Sequence, residues 1–242
     1  MKPLNFGTYF MRIVIFGPGR VGRSFSAYAR SLGFEAALVS RNDAADGLVT
    51  RADLVAAAIP DDALQGWHGR WRPALAGKRA FHFSGARVIE GLPGYHPLYS
   101  FPATPLDPGD FGRIAIAREP GAAPFAALLP GASNPEFIVR DEDRAFYHAL
   151  AVVSGNFAAH LWNETAAAFA ARLGPNAGDV LSAYFASVVA RFRESPLASL
   201  TGPVARRDGA TVRANLEALA GEPRLLALYQ AFLDSAWPDR PE

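Results

Sequence analysis

Cysteine is absent from the 242 residues, which excludes disulfide staples, thiolate metal centres, iron–sulfur ligation and cysteine nucleophiles together. Lysine is nearly absent: Lys2 and Lys78 are the only two among 24 basic residues, so lysine acid–base chemistry has little to draw on. Long apolar runs are missing as well. Residues 54–59 and 166–171 fall far short of the ~20 residues that cross a bilayer. Charge of one sign is missing too: the net charge is +1 with acids and bases interleaved, so neither nucleic acid nor an anionic membrane is an expected partner. The first ten residues hold one lysine and no long apolar stretch, unlike a secretory signal. A cytoplasmic protein is the expectation. The arginine and alanine bias fits a GC-rich bacterial genome.

What is present is a core-forming composition, half hydrophobic, which argues against intrinsic disorder. The length suits a nucleotide-binding domain followed by a smaller one. Residues 12–16 form an apolar run closed by glycine, the pattern of a buried parallel strand. Val21, Phe25, Tyr28, Ala29 and Leu32 then recur at helical spacing, with Gly33 as the stop. Further strands are expected at 35–40, 53–59 and 79–83, and the alternation of strands and helices predicts a parallel sheet. The connection 41–52 is short, so the usual helix and third strand there are abbreviated or missing. Prolines at 93, 97, 102, 105 and 108 predict a long loop without regular structure over 91–112. Strands at 113–117 and 136–140, with a helical piece near 125–129, are expected to complete the sheet. Beyond Asp141 the pattern becomes helical: 143–173, 179–193, 208–220 and 223–234. The fold expected is α/β, with a Rossmann-type domain over 1–141 and an all-α domain over 142–242.

The strongest motif is Gly17-Pro18-Gly19-Arg20-Val21-Gly22, set between a strand and a helix. The first glycine permits the tight turn, the second admits a pyrophosphate to the backbone, and the third lets helix pack on strand, while the helix N-terminus offers free N–H groups. A dinucleotide is the ligand such a turn takes. At the end of the second strand stands Ser40-Arg41-Asn42, where an acid would bind a ribose 2′-hydroxyl. A guanidinium beside a hydroxyl suits a 2′-phosphate instead, so NADP(H) is favoured over NAD(H). Asp43 close by keeps a plain loop arginine as the alternative reading.

Ile59-Pro60-Asp61-Asp62 and His82-Phe83-Ser84-Gly85 end later strands on the same edge. Ile59 and Pro60 are expected along the cofactor ribose, and Ser84 either touches the ligand or makes a turn. Asp61 and Asp62 suit the first turn of a helix. His96, held by Pro97, is the candidate acid–base, against a purely structural histidine. Asn156, His160 and Asn163 share one helical face, with Asn156 the candidate anchor for substrate or the nicotinamide amide. No metal site is legible. Thr201–Asp208 joins two helices, with Asp208 as an N-cap.

Taken together, Gly17–Gly22, Ile59-Pro60-Asp61-Asp62, His82-Phe83-Ser84-Gly85, His96-Pro97, Tyr147-His148-Ala149, Ser154-Gly155-Asn156 and Thr201-Gly202-Pro203 resemble a bacterial family in which a Rossmann-like domain precedes a helical domain of unknown function. That family is similar in turn to the pyrroline-carboxylate reductase, ketopantoate reductase and 6-phosphogluconate dehydrogenase group, whose helical domains dimerise and help close the active site. The resemblance runs from about residue 11 to 219 and implies an NADP-dependent oxidoreductase acting on a carbonyl or imine of a small metabolite, as a homodimer through the helical domain. A catalytically silent NADP(H)-binding sensor or interaction protein is the alternative. Two departures stand out. The segment after Arg41 is short, and Arg207 occupies a position where the family loop has glycine. A lysine-based mechanism has no residue here to carry it.

Overall fold

The structure, a computed structural model, describes residues 11–240; Lys2 and the rest of 1–10 lie outside the described residues. The chain divides into two compact units between Val152 and Val153. The division falls later than Asp141 because the helix that follows this residue is anchored in the first unit by the buried side chain of Arg144.

In the first unit, β1 (Arg12–Phe16), β2 (Glu35–Val39), β3 (Leu54–Ala57) and β4 (Arg79–His82) form a parallel sheet in the order β2-β1-β3-β4. Four residues of β1 and all of β3 are buried, as expected where helices cover both faces. Helices α1 (Arg20–Ser31), α2 (Asp46–Arg51) and α3 (Leu64–Leu75) make the crossovers. The abbreviated connection after Arg41 is thus one short helix, α2. One face of the sheet packs Phe25, Phe81, Phe83, Phe111 and Phe125 into an aromatic core, and the other packs Phe16 against Trp71. Since β2 and β3 flank β1, the chain reverses its direction of progress between β1 and β3, the crevice where ligands bind in open α/β sheets.

Two expectations for 91–140 are corrected. The proline-rich stretch is not devoid of regular structure: β5 (Tyr95–Pro97) and α4 (Pro108–Phe111) lie within it. Pro97 is tolerated at the end of its strand, and α4 has Pro108 at its first position with the Asp107 side chain accepting from Gly109 N–H. The later strands, β6 (Ile116–Arg118) and β7 (Glu136–Ile138), do not complete the parallel sheet; with β5 they form a second sheet, β5-β6-β7, β5 running antiparallel. Among the described residues a single bridge, His82 to Gly94, stands between the sheets, beside Pro93, which has no N–H to extend a ladder. A one-turn helix, α5 (Phe125–Leu128), packs Phe125 into the core.

The expected helix over 143–173 is also corrected: it is interrupted. A 3₁₀ turn (Asp141–Asp143) leads into α6 (Arg144–Ala151), a π-helical segment follows (Val152–Phe157), and α7 (Ala158–Leu173) completes it. Asn156 therefore lies in wider backbone than His160 and Asn163. The second unit continues with α8 (Ala177–Glu194), α9 (Gly209–Ala218) and α10 (Pro223–Ala236). Its small core joins Val204, Val212, Leu233 and Trp237. The Asp208 cap is observed, its carboxylate accepting from Thr211 N–H at 3.1 Å. Arg207 has φ 57°, the left-handed conformation that glycine adopts without strain.

Candidate functional site

The turn after β1 shows why its glycines are spaced as they are. Gly17 has φ 102°, and a Cβ there would collide with the Ala58 carbonyl oxygen at the end of β3. A Cβ on Gly22 would collide with the carbonyl oxygen of Gly17, so α1 starts only where residue 22 has no side chain. Gly19 differs: a Cβ there meets nothing within 4 Å, leaving its backbone exposed at the N-terminus of α1. Two glycines thus satisfy packing and one keeps an approach open, which is what a pyrophosphate requires. Beside them, Arg20 and Arg23 donate to the Phe101 and Ala103 carbonyls, tying the proline-rich loop to α1.

Next to the turn lies a cleft of about 430 Å³, lined by Gly17, Pro18, Ser40, Arg41, Ile59 and Pro60 together with Trp67, Arg70 and Trp71 of α3. Its floor is aromatic. Phe16 meets Trp67 edge-on at 5.2 Å and Trp71 at 5.0 Å, and Arg70 lies over the Trp71 ring. The Asp43 carboxylate, also on the lining, accepts from Ser40 N–H at 2.6 Å, and the hydrogen bonds from Ser40 hold its carboxyl below the usual range. No ion pair engages Arg41 or Arg70 among the described residues. An apolar slot rimmed by two guanidinium groups accepts a flat heterocycle bearing a phosphate.

A second group of polar residues gathers where β4, β5 and α6 meet. Arg144 is buried and donates to the Ser84 and Gly94 carbonyls, each at 3.3 Å, and to Glu119 Oε1 at 3.2 Å. Glu119 also accepts from Gly94 N–H at 2.8 Å; burial raises its carboxyl, against the pull of that N–H and of Arg144. His82, fully buried, accepts from Ser84 N–H at its Nδ1, and burial, reinforced by the Arg144 charge, lowers it to about 4. His96 Nδ1 lies 2.6 Å from the Tyr147 hydroxyl. His96 is likewise lowered to about 4, first by burial and then by His148 and Arg144, with Asp61 opposing. It is a neutral imidazole at pH 7. Burial raises Tyr147 to about 12, so its hydroxyl keeps its proton. His96 and His148 both close against Gly85.

Of the residues singled out in the sequence, Gly17, Pro18, Ser40, Arg41, Ile59 and Pro60 line one cleft, and Gly19, Arg20, Val21 and Gly22 complete the adjoining turn. Ser84 belongs to the histidine group, its hydroxyl accepting from Ala86 and Arg87 N–H within its own turn. Asn156 belongs to the second unit. Sequence reasoning missed Trp67, Arg70 and Trp71, although their i, i+3, i+4 spacing on α3, the helix following β3, was a usable signal. It also missed Glu119, Arg144 and Tyr147 as partners, because only the fold brings them together. Among the described residues no cluster of metal ligands occurs.

Sheet order, glycine turn and following helices define a Rossmann-type protein with a C-terminal helical region. More particularly, residues 115–235, half the chain, match the family described as "Domain of unknown function (DUF2520)", and the chain belongs to that family. No curated protein matches the sequence. Among solved structures, a proposed NADP oxidoreductase from Bacteroides fragilis is similar, with 21% identity and a TM-score of 0.73 over 94% of this chain and 98% of that one. A protein from Thermotoga maritima aligns with 17% identity and a TM-score of 0.66 over 93% and 96% of the two chains. Pyrroline carboxylate reductase from Plasmodium falciparum, solved with NADP bound, aligns with 9% identity and a TM-score of 0.61 over 93% and 97%.

Proposed function

We propose that this protein is an NADP(H)-dependent oxidoreductase that passes a hydride to or from a carbonyl or imine carbon of a small polar metabolite. The observation that carries this reading is the glycine turn, closed at Gly17 and Gly22 and open at Gly19, beside a cleft holding Arg41 and Arg70. The similarity to structures named as NADP-linked reductases supports it. Gly19 and the N-terminus of α1 would hold the pyrophosphate, Arg41 the 2′-phosphate, and Trp67 and Ile59 would enclose the adenosine. The nicotinamide supplies the hydride chemistry when bound. Around it the chain would supply proton handling through His96. Purified protein screened for NADPH oxidation against 2-oxo acids and cyclic imines tests the reading. Turnover of at least one class is expected; NADPH binding without any turnover would favour the silent sensor.

The oligomer proposed is a homodimer through the helical unit, in the cytoplasm. Its support is the exposed apolar surface of Phe157, Leu161, Tyr184, Val188, Val189 and Phe192, which α10 leaves uncovered. Light scattering should give twice the 25.9 kDa of one chain. A single species at one chain's mass would refute it.

A further inference from the structure

The Tyr147 hydroxyl touches His96 and has no role in the cofactor reading above. Its partner atom is Nδ1, at 2.6 Å. N–H donors stand at about 2.9–3.0 Å from their acceptors and O–H donors nearer, so the short separation matches the tyrosine proton pointing at the imidazole. Tyr147 itself is fixed, since Phe137 packs edge-on against its ring at 5.8 Å. A neutral imidazole that accepts at Nδ1 must carry its proton on Nε2.

We propose that Tyr147 is a positioning residue that fixes the tautomer of His96, presenting Nε2–H as a neutral hydrogen-bond donor, and that the matching substrate class is therefore a carbonyl compound rather than an iminium ion. This rests on the oxidoreductase reading above. A carbonyl oxygen offers lone pairs to Nε2–H and gains negative charge as hydride arrives, which a fixed donor stabilises. An iminium nitrogen has no lone pair and carries positive charge, so the donor faces it unfavourably. In the reduction, a bound dihydronicotinamide would supply the hydride that bonds to the carbonyl carbon, being oxidised in exchange, while the C=O π pair moves to oxygen. That oxygen takes the Nε2 proton as Nδ1 takes the Tyr147 hydroxyl proton; one proton from solvent then adds to Nε2 and the Nδ1 proton returns to Tyr147, which restores both groups. Tyr147, Asp61, Arg144 and His148 are the charged or titratable groups around His96; burial, His148 and Arg144 keep the ring neutral near pH 7, with Asp61 opposing.

The direct test is NMR of the full chain with ¹⁵N-labelled histidine, His96 being assigned by loss of its signals in His96→Asn. At pH 7 the cofactor-free protein should show His96 protonated at Nε2 and bare at Nδ1, and in Tyr147→Phe the Nδ1–H tautomer should grow. Nδ1–H in the unaltered protein, or no population change in Tyr147→Phe, overturns the proposal. If Tyr147→Phe fails to fold, the unaltered protein's tautomer decides alone. With NADPH, 2-oxo acids should be reduced with at least about tenfold higher kcat/KM than iminium substrates of matched skeleton, and Tyr147→Phe should lower carbonyl kcat about tenfold with KM for NADPH unchanged. Preference for the iminium overturns the substrate class. Absence of NADPH binding by calorimetry would sink the cofactor reading while leaving the tautomer result standing.

Discussion

The glycine turn and the histidine cluster occupy the same unit but are assembled differently. The turn comes from six consecutive residues, with Gly19 left open, and its geometry depends on backbone approach to Ala58. The cluster comes from residues far apart in the chain, His82, His96, Glu119, Arg144 and Tyr147, and its geometry depends on burial and charge. Local motifs of the first kind survive transfer between folds. Sites of the second kind exist only once the surrounding elements have packed, so the two should respond to different perturbations.

The largest effect should follow from breaking the cluster's centre. Arg144→Met leaves Glu119 buried without its guanidinium and removes the donors to Ser84 and Gly94, costing about 3–5 kcal/mol of stability in chemical denaturation. A cost below about 1 kcal/mol would show that the pair is not structural. In the turn the contrast is internal. Gly22→Ala forces a Cβ into the Gly17 backbone and should destabilise by about 2 kcal/mol or more, whereas Gly19→Ala should leave the denaturation midpoint unchanged and weaken NADPH binding alone. Equal destabilisation by both substitutions would contradict the roles assigned to these glycines.

The next effect separates the regions by pH. His82 and His96 stand near 4 when folded, against 6.5 ordinarily. Above pH 6.5 both are neutral folded or unfolded, and stability does not depend on them. As pH falls from 6.5 towards 4 the unfolded chain binds protons that the folded one refuses, so stability is lost across that window. At about 1.4 kcal/mol per unit, the fully buried His82 accounts for on the order of 3 kcal/mol. Glu119, raised by burial, works the other way at its own titration. Denaturation of His82→Asn should lose about half of this slope, His96 keeping the rest; an unchanged slope would contradict the burial account.

The legible part of the sequence was the local part. β1, the glycine turn, α1 and the ends of β2 and β3 followed from periodicity and glycine placement, and six residues picked there line one cleft. The cluster was not legible, because a histidine in a proline-rich stretch carries no sign of the tyrosine that packs on it 51 positions later. The π-helical turn over Val152–Phe157 was hidden too, since its composition matches its α-helical neighbours. Arg207 lies between these cases: the sequence showed only that it stands where the family loop has glycine, and its φ of 57° is the left-handed backbone that glycine adopts without strain. Arg207→Gly should relieve roughly 1 kcal/mol of backbone strain, offset by loss of the exposed Asp239 pair, for a small net change in stability. A larger loss would mean that the Asp239 pair and the nearby Trp237 ring hold this loop more firmly than exposure implies.

The account as a whole turns on what the cleft beside Gly19 binds. Isothermal titration calorimetry of the full chain with NADPH and NADH, repeated on Arg41→Asp, asks this directly. A charge-assisted hydrogen bond is worth about 1.5–3 kcal/mol, so NADPH should bind at least roughly tenfold more tightly than NADH, and Arg41→Asp should erase or reverse that preference. Equal affinities in the unaltered protein, or no binding of either nucleotide, would contradict the account.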